Sequence, residues 1–325
     1  MTTPYPDLRP AGTEGPSGVA GPGGPAGAPT APGSPDVEAV GRRRIRGSEF
    51  LYFGLRNAKL VVGLGVVLFF LAFALVGPYL TDYTPLGFDG LPGEPPSSEH
   101  WFGTTASGQD VFTQFVYGLR ATFVVGALGG GLAALIAMVV GFTAGYRGGA
   151  VDEVLSMLTN VVLVIPTFAV LIIVVAYSQG GGFAKEAVFI GLTSWPWAAR
   201  AVRAQTFSLV SRDFVDIARL TGLSSRRIIA REIAPNMSSY LLLMTILLFG
   251  GAILIGATLD FLGLGPANAM SLGLMMQNSV TDAALLQEMW WWFVPPGVGI
   301  IAVVGGLYVM NVGLDEVFNP RLRET

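Results

Sequence analysis

Cysteine is absent from the 325 residues, so disulfides, thiolate metal centres and cysteine nucleophiles are excluded in any compartment. Histidine occurs once, at His100, which leaves a histidine-based metal site or a Ser-His-Asp triad without its parts. Lysine occurs only at Lys59 and Lys185, and no Gly-x-x-x-x-Gly-Lys-Ser/Thr phosphate loop is present. The chain therefore carries no element for binding or hydrolysing ATP by itself, and no cofactor or metal is expected in it. Charge of either sign is scarce, at 13% of the residues, while 52% are hydrophobic. With a mean hydropathy of +0.59 the chain is too apolar for an ordinary soluble domain and reads as a membrane protein. The formal net charge of -3 hides a strong segregation of sign, and nothing in it suggests a nucleic-acid partner.

The segment 1–41 is dominated by Pro, Gly and Ala and holds too little large apolar surface to offset chain entropy; it is expected to be a disordered cytoplasmic tail. No charged start followed by an apolar core stands near Met1, so no cleaved secretory signal is expected. Residues 42–59 form a basic juxtamembrane segment with Arg42, Arg43, Arg44, Arg46, Arg56 and Lys59, a cytoplasmic anchor under the positive-inside rule. Apolar segments follow at Leu60–Leu80, Val116–Gly145 and Val154–Tyr177, each near the roughly 20 helical residues that cross a bilayer core. A shorter one, Ala187–Ala199, carries Trp195-Pro196-Trp197, read as an interfacial aromatic pair around a kinking proline. Ser239–Leu259 and Trp291–Val312 complete six spans, the last opening on Trp290-Trp291-Trp292 as an aromatic belt. Six spans put both termini on one side.

The charges give an independent reading of sidedness. The loop 81–112 holds Asp82, Asp89, Glu94, Glu99 and Asp110 but no Lys or Arg, and the segment between the fifth and sixth spans holds Asp282 and Glu288, again without Lys or Arg. Both are expected outside. After the fourth span come Arg200, Arg203, Arg212, Arg219, Arg226, Arg227 and Arg231. At about 2.5–3.5 kcal/mol per Arg at mid-bilayer these belong in the cytoplasm. The core is thus 113–313, with a cytoplasmic segment 212–236 inside it and a cytoplasmic C-terminus at 314–325. Arg120, near the start of the second span, must snorkel or face the bundle.

The segment 212–236 reads as two short amphipathic helices. Phe214, Ile217, Ala218 and Thr221 recur at helical spacing, and Gly222 can take the left-handed conformation that ends a helix. Ser224 or Ser225 can cap the second helix, where Ile228, Ile229 and Ile233 supply an apolar side. Pro235 suits the first turn of the span that follows. A solvated basic loop is the plainer reading, but it does not explain the apolar faces. Small and apolar residues framed by arginines suit a plug for a groove on another protein, with Asp216 and the arginines, Arg226 among them, fixing its register.

At these residues the chain resembles the membrane permeases of ABC importers. Their coupling motif opens on Glu-Ala-Ala, continues with a Gly after three further residues and closes on a Pro; Asp216, Ala218, Gly222 and Pro235 match it in type and spacing, with Ile217 at the second position. From about Leu60 onward the resemblance is to the second membrane subunit of dipeptide/oligopeptide importers. It is carried by His100-Trp101-Phe102-Gly103-Thr104, Gly108-Gln109-Asp110-Val111-Phe112, Tyr117-Gly118-Leu119-Arg120 and Gly145-Tyr146-Arg147-Gly148-Gly149. Further along it is carried by Asp152-Glu153, Ile165-Pro166, the run from Ala257 to Gly265 and Trp292-Phe293-Val294-Pro295-Pro296-Gly297. Thr105, Gln109, Asp260 and Asn311-Val312-Gly313 depart from the pattern.

The resemblance implies an all-α membrane protein with the six-transmembrane type I ABC importer permease fold and a cytoplasmic coupling helix hairpin. It implies as partners a homologous permease subunit, two ABC ATPase subunits that carry ATP and Mg, an extracytoplasmic substrate-binding protein and membrane lipid. The chain itself is then a transporter subunit and not an enzyme, with Phe214, Asp216, Ile217, Ala218, Gly222, Arg226 and Pro235 meeting the ATPase. Peptides are the expected solute, and oligosaccharides, which the family also imports, are the alternative. An ion-driven secondary transporter would need ionisable residues in the spans, where Asp and Glu are nearly absent. A membrane scaffold without transport is the third reading.

His100 and Trp101 are candidates for docking the binding protein, or else a loop-folding motif. Asn160 and Pro166 are candidates for the translocation path, a polar amide beside a kink, or else an interhelical hydrogen bond. Asp152 and Glu153 complement a helix dipole. Asp260 is expected to be solvated or capped at the outer face. Gly126, Gly129, Gly130 and Gly131 would let the second span pack closely against a neighbour.

Overall fold

The computed structural model describes residues 54–177 and 182–318; the segment 1–41, the arginines Arg42, Arg43, Arg44 and Arg46 and the chain after 318 lie outside the described residues. Within them the secondary structure is helical, with one isolated bridge between Thr104 and Asp110. Four helices are long and apolar enough to cross a membrane: α1 (Ala58–Val76, extended by a 3-10 turn to Tyr79), α2 (Val111–Arg147), α9 (Ser238–Phe261) and α11 (Trp290–Phe318). A fifth candidate is the pair α3 (Gly149–Val164) and α4 (Thr167–Tyr177). Between them lie α5 (Gly182–Ser194), α6 (Pro196–Val210), α7 (Asp213–Leu220) and α8 (Ser225–Ile228, continued through a π turn at Ile229–Ile233); α10 (Leu272–Thr281) precedes α11.

The expected third span is not one helix. Ile165 is extended, with φ -70° and ψ 127°, as the residue before a proline tends to be, and the axis turns by 75° there. Pro166 has no N–H to continue the ladder, so the break is set by sequence.

The expected fourth span, Ala187–Ala199, is divided between α5 and α6, neither of which is among the helices long and apolar enough to cross a membrane. α5 and α6 meet at Trp195, whose carbonyl accepts from Ala199 N at 2.9 Å, and Pro196 starts α6 where an N–H is not needed. Lys185, Glu186, Arg200 and Arg203 lower its hydropathy. The pair tolerates them because it is an interior element: Ala187, Ile190, Ala198, Ala199 and Val202 are all buried. Glycines of α2 bring it close, since a Cβ at Gly141 would stand 2.8 Å from Ala199 O and one at Gly145 2.7 Å from Arg203 O. Trp195 is buried too, and its Nε1 donates to Leu192 O, so it belongs to the core and not to an interfacial pair; Trp197 is exposed.

Small residues do the same work elsewhere, as expected where lipid and side chains are equally apolar and close approach decides packing. A Cβ at Gly63 would collide with Met310 N and one at Gly313 with Leu60 N, so α1 and α11 touch backbone to backbone. Their adjoining ends are tied by Lys59 Nζ to Glu316 Oε1 at 2.5 Å and Asn57 Nδ2 to Glu316 Oε2 at 2.8 Å. Asn311 Nδ2 donates to Leu243 O at 2.7 Å and joins α11 to α9. In α2, Gly126 and Gly130 face Phe249 and Gly129 faces Ala187 O, but nothing lies within 4 Å of a Cβ at Gly131. Gly126–Gly130 forms a π turn, a distortion that β-carbons would crowd. The tryptophan belt is reduced to Trp290, for Trp292 is fully buried and Trp291 Nε1 donates to Thr104 O at 3.1 Å.

Candidate functional site: the arginine-framed hairpin and the broken helix

Arg212 is extended at the start of α7, and its carbonyl accepts from Val215 N at 2.9 Å. The helix ends in a left-handed glycine: Gly222 has φ +75°, its N–H bonds Arg219 O at 3.0 Å and Leu223 N bonds Ala218 O at 3.3 Å. These two bonds are the Schellman pattern, which satisfies carbonyls that a helix end leaves open. Thr221 Oγ1 adds a bond to Ala218 O at 2.9 Å. Ser224 stands at the head of α8, but it serves through its backbone carbonyl, which accepts from Arg227 N and Ile228 N, and not through its hydroxyl.

The apolar residues of the hairpin divide into two sets. Val215, Ala218, Ile228, Ile233 and Met237 are buried against Phe142 of α2 and Val202 and Leu209 of α6, with Phe214 and Ile229 half-buried beside them. This core fixes the hairpin to the ends of α2 and α6. Ile217, read from spacing as part of the same face as Ala218, lies on the other side and is 61% exposed. Leu220, which the sequence reading passed over, is 88% exposed. A three-residue step from Phe214 through Ile217 to Leu220 was the available signal. Gly222, Asp216, Arg226 and Pro235 are exposed with them, and nothing lies within 4 Å of a Cβ on Gly222. Asp216 Oδ1 accepts from Arg219 at 3.0 Å, and the Arg219 guanidinium sits 5.6 Å from the centre of the Tyr146 ring. Tyr146 first and Asp216 second hold the Arg219 pKa above its usual value, so its charge is fixed.

On the inner side of the broken helix, α3 runs beside α6 and the two exchange polar contacts. Arg203 forks onto both carboxylate oxygens of Asp152, and Ser156 Oγ donates to Asp152 at 3.2 Å. Asp152, in the first turn of α3, therefore has a partner besides the helix dipole. Arg200 Nη2 donates to Asn160 Oδ1 at 2.5 Å. Asn160 is thus an interhelical hydrogen-bond acceptor, and with Ser156, Thr159, Arg200 and Arg203 it also lines a cavity of 310 Å³. Pro166 is at the bend and does not line it.

At the far end of the bundle, His100 is buried and its Nδ1 lies 2.9 Å from Asp110 Oδ2. Asp110 Oδ1 accepts from both Thr113 N and Thr113 Oγ1 at 2.7 Å and so caps α2. His100 is a folding element of the loop 81–112. Trp101 beside it is 52% exposed with its ring 4.8 Å from that of Phe112, the one of the two free to meet another molecule.

Asp260 is neither solvated nor a surface cap. It is 2% exposed, accepts from Ser271 Oγ at 2.5 Å and interacts with Glu186, itself 5% exposed. Glycines make the room, for a Cβ at Gly265 would collide with Asp260 Oδ1 and one at Gly256 would lie 3.3 Å from Glu186 Oε1. Arg120 is exposed at a second cavity with Tyr117 and Phe183, and forms no ion pair among the described residues.

Residues 137–324 match the family described as "Binding-protein-dependent transport system inner membrane component". The chain is 30% identical over 292 residues to the dipeptide transport system permease protein DppC of Bacillus subtilis, covering 89% of this chain and 90% of that protein. It is 32% identical to the DppC of Alkalihalophilus pseudofirmus over 82% of this chain and 88% of that one. The oligopeptide transport system permease protein OppC of Mycobacterium tuberculosis (strain H37Rv) is 32% identical over 83% of this chain and 92% of its own length.

Proposed function

The chain belongs to the family of binding-protein-dependent transport system inner membrane components, and from that premise we propose that it builds the membrane path of an ATP-driven importer of dipeptides or oligopeptides. It is an ABC transporter permease and a multi-pass membrane protein. In the proposed assembly it pairs with a homologous permease, two ATPase subunits supply ATP and Mg chemistry, and an extracytoplasmic binding protein delivers solute. The arginine-rich hairpin then lies in the cytoplasm with both termini, and the acidic loop 81–112 lies outside, by the distribution of Lys and Arg.

The observation that carries this reading is the two-faced hairpin. One side is welded to α2 and α6 through Val215, Ala218, Ile228 and Ile233, and the other offers Ile217, Leu220 and the bare backbone of Gly222. Exposed apolar side chains next to a glycine suit a groove on a partner, as in helix-in-groove recognition. ATP binding can shift the membrane equilibrium only through contacts that differ between the two states, and this surface is where they would form.

The experiment is ATP-dependent uptake of a dipeptide by vesicles holding the permease pair, the ATPases and the binding protein. Accumulation that continues after all nucleotide is removed would overturn the proposal. The ion-driven alternative has one observation in its favour, the buried Glu186 and Asp260 carboxyls, and the same nucleotide-free control decides between them. Peptides are preferred over oligosaccharides because the relatives named above are dipeptide and oligopeptide permeases.

A further inference from the structure

We propose that Arg200, held by Asn160, is a subsite for the free carboxylate of the solute on its way through the membrane. This inference rests on the peptide-importer reading and names the group recognised along that path. The charged residues that line the 310 Å³ cavity are Arg200 and Arg203, and Asp152 stands beside it as the partner of Arg203. Arg203 is matched by Asp152 through two nitrogens of its fork, but among the described residues Arg200 has only the neutral amide oxygen of Asn160. One positive charge is therefore left over.

Its position makes it informative. Asp152 and Asn160 are about 12 Å apart along α3 and Arg203 and Arg200 about 4.5 Å apart along α6, at about 1.5 Å per residue, so the two arginines splay to different levels of α3. α3 is half of the bent apolar pair and α6 packs on the glycines of α2; a guanidinium facing lipid beside them would be costly, and one facing a polar cavity is spared that cost. Arg200 stays exposed in the described chain and opens onto Asn160, whose amide nitrogen can donate to an anion, while the hydroxyls of Ser156 and Thr159 already donate to Asp152 and to Leu155 O. A planar guanidinium takes a carboxylate in two parallel hydrogen bonds, and one Asn160 contact leaves most of its five donors available. A space of this size holds a chain terminus and not a whole oligopeptide.

The test compares ATP-driven uptake of Ala-Ala with that of its C-terminal amide by the reconstituted importer. Dividing the acid-to-amide ratio of a variant by that of the wild type cancels the preference of the binding protein. Arg200→Gln should lower the acid-to-amide ratio about tenfold, as expected for one charge-assisted hydrogen-bonded contact, and Arg200→Lys should restore part of it. Asn160→Ala should lower it less. A second readout needs neither transport nor a variant: phenylglyoxal labelling of Arg200 in the purified importer, followed by mass spectrometry, should be slowed by Ala-Ala and not by the amide. Equal loss of both peptides in Arg200→Gln, accompanied by loss of the partner permease on purification, would assign Arg200 to the subunit interface and overturn the subsite. So would labelling that Ala-Ala leaves unchanged. Protection of Arg200 in an importer that takes up no peptide with ATP would keep the subsite and overturn the peptide-importer reading instead.

Discussion

Glu186 of α5 and Asp260 of α9 bring two carboxyls together inside the bundle, where Glu186 Oε1 and Asp260 Oδ1 have no donor among the other described residues. Two buried carboxyls this close can meet only if one of them keeps its proton, a constraint that one amide removes. Asp260→Asn keeps the acceptor for Ser271 Oγ and offers an N–H to Glu186. It should stabilise the purified chain by about 1–3 kcal/mol, the usual cost of an unmet buried polar group. Thermal unfolding in detergent at pH 8 measures this, and a lower midpoint than wild type would refute the account of the pair. Asp260→Leu, which leaves Glu186 without any partner, should lower the midpoint.

Gly222 separates strain from contact. A residue with a Cβ at φ +75° costs about 1–2 kcal/mol, which Asn largely escapes. Since the space around the glycine is open in the chain itself, Gly222→Asn should fold and insert normally. Gly222→Leu should fold as well, with a small loss of stability, but abolish ATP-driven uptake. Transport by Gly222→Leu at the wild-type rate would remove Gly222 from the ATPase contact.

Leu220 and Ile217 are expected to matter only to the partner. Leu220→Ala should change the stability of the chain by less than about 0.5 kcal/mol, because nothing is packed on it. Burial of a leucine in a partner groove is worth about 1.5–3 kcal/mol, so its affinity for the ATPase should fall tenfold or more. Quantitative co-purification of ATPase with Leu220→Ala reads this directly, and unchanged recovery at limiting ATPase counts against the surface. Val215→Ala should show the opposite pattern, with lost stability coming first.

The loop 81–112 gives the fourth pair of variants. Asp110→Ala removes both the cap on α2 and the His100 contact, and a cap alone is worth about 0.5–2 kcal/mol, so the midpoint should drop measurably. Trp101→Ala should leave the midpoint nearly unchanged and weaken binding-protein docking. A surface-binding assay with immobilised importer separates the two; full docking by Trp101→Ala would assign the tryptophan to the loop alone.

The spans and the hairpin were legible in the sequence because both rest on local signals, apolar length for α1, α2, α9 and α11 and helix-ending chemistry for Gly222. The break at Ile165-Pro166 was visible as a kink, but its 75° size was not, since that depends on what the two halves pack against. Asp260 was misread because one carboxylate at a helix end is ordinarily wet; only the fold brings Glu186 to it and the glycines that enclose both. The faces of α7 were misjudged for a related reason. A short helix with Phe214, Val215, Ile217, Ala218 and Leu220 is apolar in most directions, and which side is covered depends on where α2 and α6 end. Arg200 and Asn160, like Arg203 and Asp152, are far apart in sequence, and no local pattern announces such pairs.

The hairpin's buried side has a mechanical consequence. Its core residues interdigitate with Leu209 and Val202 of α6, and that helix continues unbroken to Pro196 past both Arg203 and Arg200. Between Leu209, which the hairpin core packs on, and Arg200 the helix has no break. At about 1.5 Å per residue those two positions are about 13.5 Å apart on one rigid rod, so a partner that displaced the hairpin core would displace Arg200 with it.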